Sequence, residues 1–189
     1  MPDRLIKSFA IFAKTHPDAI LFLHTDPYDI AAPIDLIQLI HRYKLENRVI
    51  FSGMKFFDGF DYKQMNEIYN LMDVFFLSTS GEGFGIPIIE AMACGIPCVV
   101  TDYTTTYELL VENGICGIPA KISTELTGSC NVERAIMNDE EAAKSLDILY
   151  QNKDLRMDMG KIGIEKVNKF YNWKNVGEQW NELIGEITK

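Results

Sequence analysis

Short segments that are apolar almost throughout recur along this chain and limit the folds that it can adopt. They occupy residues 19–24, 48–52, 74–78 and 97–101, and a weaker one covers 115–119. Amphipathic stretches separate them. A strand with apolar side chains on both faces is buried on both faces, which is typical of a parallel sheet with helices on each side. The sequence therefore predicts an α/β fold with a doubly wound, Rossmann-like parallel sheet.

The spacing of apolar residues predicts helices between and after these strands. The predicted helices cover residues 3–15, a stretch that begins at Pro33, 65–72 and 85–94, and three more follow residue 138. The last has a strongly apolar face for a terminal helix, formed by Trp173, Val176, Trp180, Leu183, Ile184 and Ile187. We expect most of this face to pack in the core; the alternative is a contact with a preceding domain. The polar segment 121–137 is predicted to be a loop.

The length of the chain suits a single domain, residues 1–189, in which residues 139–189 form C-terminal helices. A doubly wound sheet normally begins with a strand that leads into its first helix. This chain opens on a predicted helix instead. We therefore expect the first strand of the domain, and a whole domain before it, to lie upstream of residue 1.

Charge and composition argue against several classes of function. The chain has 18 Lys and Arg residues against 27 Asp and Glu residues, a net charge of −9, which disfavours nucleic acid as a partner. No segment approaches the roughly 18 apolar residues of a transmembrane helix, and the N-terminus lacks the pattern of a signal peptide. The four cysteines lack the spacing of a metal site, which favours reduced thiols in a cytoplasmic protein.

A glycine-rich segment after the third strand is the first candidate site. Gly81, Gly83 and Gly85 lie between residues 74–78 and the helix that follows. Ligands of open α/β sheets bind beyond the carboxyl ends of the strands, and a helix N-terminus suits a phosphate. The segment matches neither a P-loop nor the fingerprint of nicotinamide dinucleotide sites. On glycine content alone, a tight turn without a ligand is an equally good interpretation.

Glu90 adds a second observation, because nearly all its neighbours in sequence are apolar. Burying a polar group without a hydrogen bond costs on the order of 2–7 kcal/mol. A salt bridge or a backbone N–H group would satisfy the carboxylate, and so would the vicinal hydroxyls of a ligand. Glu82 precedes Glu90 by eight residues, roughly 12 Å along a helix. The two carboxylates can bracket an elongated ligand but are too far apart to act on one bond.

Residues 82–100 resemble the Glu-x7-Glu signature of retaining glycosyltransferases of the GT-B fold, specifically glycosyltransferase family 4 (glycosyl transferases group 1). Flanking segments at 48–53 and 68–77 are similar to further motifs of that family, as are Glu108 with two leucines and Tyr171-Asn-Trp173. The resemblance implies a C-terminal domain that binds a nucleotide-sugar donor. It implies an enzyme that transfers a hexose to an acceptor hydroxyl with retained configuration, in glycan, lipid or polysaccharide synthesis.

The resemblance also implies roles for individual residues. Glu82, the candidate catalytic residue, would lie beside the donor sugar with a positioning and electrostatic role, and Glu90 would bind the ribose hydroxyls. Backbone N–H groups of four residues would bind the sugar and diphosphate: Gly83, Phe84, Gly85 and Ile86. The segment Gly53-Met54-Lys55 would lie near the base, and Thr79 occupies the position of a serine of the family. No metal and no cofactor other than the donor substrate is expected.

The sequence departs from the family pattern at several points. The Arg and Lys that precede the first helix in the family are absent, and Thr104, Thr105 and Thr106 replace a Gly-Gly pair before Glu108. The resemblance predicts a donor-binding half that lacks its N-terminal acceptor domain and is inactive alone, in a cytoplasmic protein that is peripheral to a membrane when complete. The alternative is a catalytically inactive nucleotide-binding or scaffold module of the same fold. A receiver-type signalling domain is disfavoured, because the segment His24-Thr25-Asp26 at the end of the first predicted strand supplies only one acid.

Overall fold

Strands and helices alternate along most of the chain in the computed structural model, which describes residues 1–29, 33–53 and 59–188. The strands are β1 (Leu21–Leu23), β2 (Val49–Phe51), β3 (Phe75–Leu77), β4 (Cys98–Thr101), β5 (Gly117–Ala120), β6 (Ile122–Thr127) and β7 (Glu133–Met137). The helices are α1 (Pro2–Phe12), α2 (Leu36–Tyr43), α3 (Tyr62–Asn70), α4 (Ile86–Ala93), α5 (Thr106–Leu110), α6 (Asp139–Gln151), α7 (Lys153–Phe170) and α8 (Trp173–Ile187).

The first five strands pair in parallel, which confirms the predicted fold class. β1 pairs with β2, while β3, β4 and β5 form a sheet in that order. All four residues of β4 are buried, as expected for a strand with neighbours on both edges and helices on both faces. Among the described residues, β1 is hydrogen-bonded to β2 alone and β3 to β4 alone.

Side chains from successive residues of β4 enter two different hydrophobic clusters. Val99 packs in the cluster that contains the apolar faces of α1, α2 and α6. Cys98 and Val100 pack in the other, together with residues of α4 and α5. Because successive side chains of a strand point to opposite faces, helices cover both faces of this sheet. Leu21 and Leu23 of β1 belong to the same cluster as Val99, so the two parallel sheets share one core.

The prediction of a loop over residues 121–137 is wrong. This segment forms an antiparallel hairpin, in which Ile122 pairs with Met137 and Thr127 pairs with Glu133. The hairpin presents mainly polar side chains to solvent on β6, whereas Ala135 and Met137 of β7 are buried. A strand that buries only two small or flexible residues leaves a weak apolar signal in the sequence.

The expectation that the face of the last helix packs in the core is also wrong. No residue of α8 is buried, and Trp173 and Trp180 are 88% and 60% exposed. Its apolar stripe has the spacing of a packed helix, but the described residues offer no surface that covers it. No helix within 1–29, 33–53 and 59–188 is long and apolar enough to span a membrane.

Two glycines of α7 allow that helix to lie directly against the end of α4. A Cβ atom on Gly160 would lie 2.2 Å from the carbonyl oxygen of Gly95, and one on Gly163 would lie 3.2 Å from that of Met92. Contact at this range is possible only without side chains, so the two glycines set the position of α4 relative to α7.

We expect Gly160→Ala to lower the free energy of unfolding by about 1–3 kcal/mol, because the new methyl group overlaps a backbone carbonyl that cannot rotate away. Gly177→Ala in α8 is the control, since nothing lies within 4 Å of its Cβ position; that change should be neutral or stabilise by about 0.5–1 kcal/mol. Urea denaturation followed by circular dichroism measures both. Equal effects would contradict the close approach of α7 and α4.

Candidate functional site

The glycine-rich loop, residues 78–85, leaves the carboxyl end of β3 and leads into α4. Ser78 and Thr79 are buried at its beginning. The Thr79 hydroxyl accepts a hydrogen bond from the Gly81 N–H at 3.2 Å and donates one to the Gly81 carbonyl at 3.1 Å. Thr79 therefore holds the turn of the loop; a direct contact of Thr79 with a substrate stays a prediction.

The loop enters α4 through Gly85, which adopts a left-handed conformation with φ 86°. A Cβ atom there would lie 2.9 Å from the Ile88 side chain and 3.0 Å from that of Leu109. The helix begins without a side-chain cap, and Pro87 in its first turn has no N–H group. Within the described part of the chain, the backbone N–H groups of residues 83–86 have no hydrogen-bond acceptor. These free donors and the helix dipole suit an anion.

Glu82 lies in the middle of this loop, and its main chain is tied to the next loop of the sheet. Its N–H group donates a hydrogen bond to the Thr104 hydroxyl at 3.0 Å. Its half-buried carboxylate makes no ion pair within the described ranges. Burial lowers the pKa of the Met1 α-amino group, and the nearby carboxylates of Asp3 and Glu82 oppose that shift. The amino group donates a hydrogen bond to the Ser78 carbonyl at 2.8 Å, so the start of α1 lies beside the loop.

Glu90 lies on α4 and is half-buried. The Tyr69 hydroxyl of α3 donates a hydrogen bond to its Oε2 atom at 2.8 Å. Burial and this bond to a carboxylate raise the pKa of Tyr69 well above its usual value, so the hydroxyl remains a donor at any ordinary pH. The partner is thus a phenol rather than the salt bridge or backbone N–H considered from the sequence. The Oε1 atom has no partner among the described residues.

The other predicted site residues are only partly brought together. Phe84 is exposed, and its ring meets that of Tyr171 at 6.2 Å in an edge-to-face contact beyond the end of α7. The Ile86 side chain is also exposed. Gly53 follows β2 with φ 73°, and no atom of the described residues lies within 4 Å of the position that a Cβ would take. Met54 and Lys55 lie outside the described residues.

The hairpin β6–β7 contributes residues that the sequence did not single out. The Ala135 N–H group donates a hydrogen bond to the Ser80 carbonyl at 3.0 Å. The Nη1 atom of Arg134 lies 3.4 Å from the position that a Cβ on Gly81 would take. The hairpin therefore supports the glycine-rich loop from outside the parallel sheet. No alternating signal for β7 was available in the sequence, because the apolar Ile136 lies between the buried residues Ala135 and Met137.

Cysteine and metal chemistry give no second site in the parts of the chain that the structure describes. All four cysteines are free thiols. Burial raises the pKa of the Cys98 and Cys116 thiols, so both are poor nucleophiles. No group of three or more His, Cys, Asp or Glu side chains in these ranges is placed to hold a metal ion.

A parallel sheet with C-terminal helices and a glycine-rich loop after β3 defines the class: this chain has the fold of the C-terminal domain of GT-B glycosyltransferases. The profile of the family "Glycosyl transferases group 1" matches residues 1–166, so the chain belongs to that family of glycosyltransferases. Both findings confirm the GT-B fold and membership of glycosyl transferases group 1; the retaining mechanism and the assignment to family 4 stay predictions.

Two curated relatives match nearly the whole chain. N-acetyl-alpha-D-glucosaminyl L-malate synthase of Bacillus anthracis is 30% identical over 182 residues, which are 94% of this chain and 41% of the relative. Mannosylfructose-phosphate synthase of Agrobacterium fabrum is 38% identical over 191 residues, 96% of this chain and 37% of the relative. The chain thus spans about two fifths of the length of these relatives.

Solved structures show the same fold at low sequence identity. Sucrose-phosphate synthase of Thermosynechococcus elongatus superposes with a TM-score of 0.72 at 19% identity, covering 100% of this chain and 43% of that one. Anabaena HepE in complex with UDP-glucose superposes with a TM-score of 0.70 at 21% identity, covering 96% and 44%.

Removing the Tyr69 hydroxyl tests the geometry around Glu90. Tyr69→Phe should lower the free energy of unfolding by about 1 kcal/mol, because the half-buried carboxylate loses its donor. Tyr62→Phe, at a side chain of the same helix that is 93% exposed, is the control and should change nothing measurable. Urea denaturation monitors both variants. A Tyr69→Phe variant as stable as the control would refute the hydrogen bond.

Proposed function

We propose that this chain is the donor-binding domain of a retaining glycosyltransferase of family 4, and that it binds a nucleotide diphosphate sugar. The main observation behind the proposal concerns Glu90: its Oε2 atom accepts a hydrogen bond from Tyr69, whereas its Oε1 atom has no partner among the residues that the structure describes. A carboxylate fixed in this way can accept hydrogen bonds from two adjacent hydroxyls, as a ribose ring offers. The resemblance to the Glu-x7-Glu signature supports the same role.

The free N–H groups of residues 83–86 support a place for the diphosphate at the start of α4. A dianionic group there gains from hydrogen bonds and from the helix dipole without any basic side chain. The Glu82 carboxylate belongs to the same loop, directly before Gly83. We propose that it contacts the donor sugar and stabilises positive charge that develops at the reacting carbon. Gly53, Met54 and Lys55 are proposed to lie near the base.

The proposed donor is a nucleoside diphosphate hexose, and the proposed acceptor group is a hydroxyl. Structural neighbours support this class of ligand, since HepE is solved with UDP-glucose and the pneumococcal GtfA with UDP and GlcNAc. We propose that the donor binds without a metal ion, because main-chain donors at α4 can meet the diphosphate charge. Donor affinity should then be unchanged by EDTA.

We also propose that one further parallel strand fits between β1 and β3. Each has one hydrogen-bonded neighbour among the described strands, although the two sheets share a core. The Met1 amino group lies against Ser78, directly after β3, where a strand leading into α1 would end. A second domain that binds the acceptor would complete the enzyme, and the 189 residues alone should not transfer sugar.

Calorimetric titration with UDP-, GDP- and ADP-sugars tests donor binding. Glu90→Gln should weaken the bound donor about ten- to hundredfold, which corresponds to the loss of charged hydrogen bonds worth about 1.5–3 kcal/mol. Glu67→Gln, an exposed carboxylate of the neighbouring helix α3, is the matched control and should bind normally. Absence of heat with every donor, or equal effects of the two variants, would contradict the proposal.

Glu82→Gln should separate binding from transfer in the natural protein. The variant keeps the size of the side chain, removes its charge and replaces one acceptor oxygen with an NH2 donor. We expect turnover to fall about 10²–10³-fold, while affinity for the nucleoside diphosphate stays the same. Steady-state transfer kinetics and titration with the diphosphate measure the two quantities. Unaltered turnover would exclude the electrostatic role of Glu82.

A further inference from the structure

Thr104 has a backbone conformation that its residue type disfavours. Its φ is 55°, in the left-handed region, where a Cβ meets the following carbonyl group and a β-branched side chain is a genuine outlier. Such strain persists only where the surroundings impose it, and it is concentrated at functional sites. We therefore expect Thr104 to make a contact that requires this left-handed backbone conformation.

The Thr104 hydroxyl makes that contact with the glycine-rich loop. It accepts the hydrogen bond from the Glu82 N–H at 3.0 Å and donates its own proton to the Tyr103 carbonyl at 2.7 Å. The second bond orients the oxygen lone pairs, so the hydroxyl presents an acceptor to Glu82. Neither bond caps the following helix, since α5 begins after Thr105 and has no side-chain cap.

We propose that Thr104 is a positioning residue for Glu82. Its hydroxyl fixes the peptide before Glu82 across the gap between the loops that follow β3 and β4, and the left-handed backbone directs the hydroxyl there. The inference rests on the proposed function, because it assumes that the Glu82 carboxylate contacts the donor sugar. The strained conformation of Thr104 lowers the stability of the protein, and we infer that it is kept because it orients the Glu82 carboxylate.

Three variants separate strain from positioning. Thr104→Gly removes both the strain and the hydroxyl, whereas Thr104→Ser keeps the hydroxyl. Lys44→Gly is the matched control, because Lys44 has φ 58° at the end of α2 in the β1–β2 half of the fold. The probes are UDP with UDP-glucose, GDP with GDP-mannose and ADP with ADP-glucose, titrated into the natural protein. Thermal unfolding is recorded for each variant.

We expect Thr104→Gly and Lys44→Gly each to unfold at the same temperature as the unmodified protein or at a higher one. The affinity of Thr104→Gly for the sugar nucleotide should fall about fivefold, the loss of one ordinary hydrogen bond, with no change for the nucleoside diphosphate. Thr104→Ser should keep the affinity of the unmodified protein, because it keeps the hydroxyl, and Lys44→Gly should not alter that affinity. If Thr104 had only a structural role, affinity would change in the same direction as stability. Thr104→Gly would then bind the sugar nucleotide as tightly as the unmodified protein, or more tightly.

The possible failures are distinguishable. If the unmodified protein binds none of the six probes, the proposed function fails and the inference fails with it. If it binds a pair of probes and Glu90→Gln weakens both, but Thr104→Gly leaves the affinity ratio of that pair unchanged, then only the role of Thr104 is overturned. A Thr104→Ser variant that binds as weakly as Thr104→Gly would also overturn it.

Discussion

The burial of β4 between β3 and β5 is the constraint on which the rest of the structure depends. Its four residues have no contact with water, so both edges and both faces of the strand must be covered. β3 covers one edge of β4 and runs parallel to it, so the loops that follow these two strands lie at the same end of the sheet. The hydrogen bond between Glu82 and Thr104 joins those two loops.

The sequence predicted the features that follow from regular burial. The apolar runs predicted the parallel strands, and the glycines and Pro87 predicted where the helix after the third strand begins. Glu90 stood out because its neighbours are apolar, and Tyr69 now explains how half-burial is tolerated. The hydrogen bond from the Tyr69 hydroxyl could not be predicted from the sequence, because a contact between α3 and α4 depends on how the two helices pack and not on spacing along the chain.

Two other parts could not be predicted, for opposite physical reasons. The hairpin β6–β7 gains its stability from paired backbone groups and buries little apart from Ala135 and Met137, so its sequence resembles a loop. The last helix has an amphipathic pattern, yet Trp173 and Trp180 are exposed. Periodicity reports that a face is suited to burial, and it does not report which surface covers that face.

The acidic charge of the chain is compatible with an anionic ligand because of how the proposed site is built. A net charge of −9 repels a phosphate at long range, but that repulsion is screened beyond about 10 Å at ordinary ionic strength. At contact distance the N–H groups of residues 83–86 and the dipole of α4 dominate, and neither adds to the net charge. Carboxylates can then serve the neutral parts of the same ligand: Glu90 the ribose hydroxyls and Glu82 the sugar. The proposed arrangement requires the Glu82 and Glu90 carboxylates to face these neutral parts and not the diphosphate, because a carboxylate beside the diphosphate would repel it.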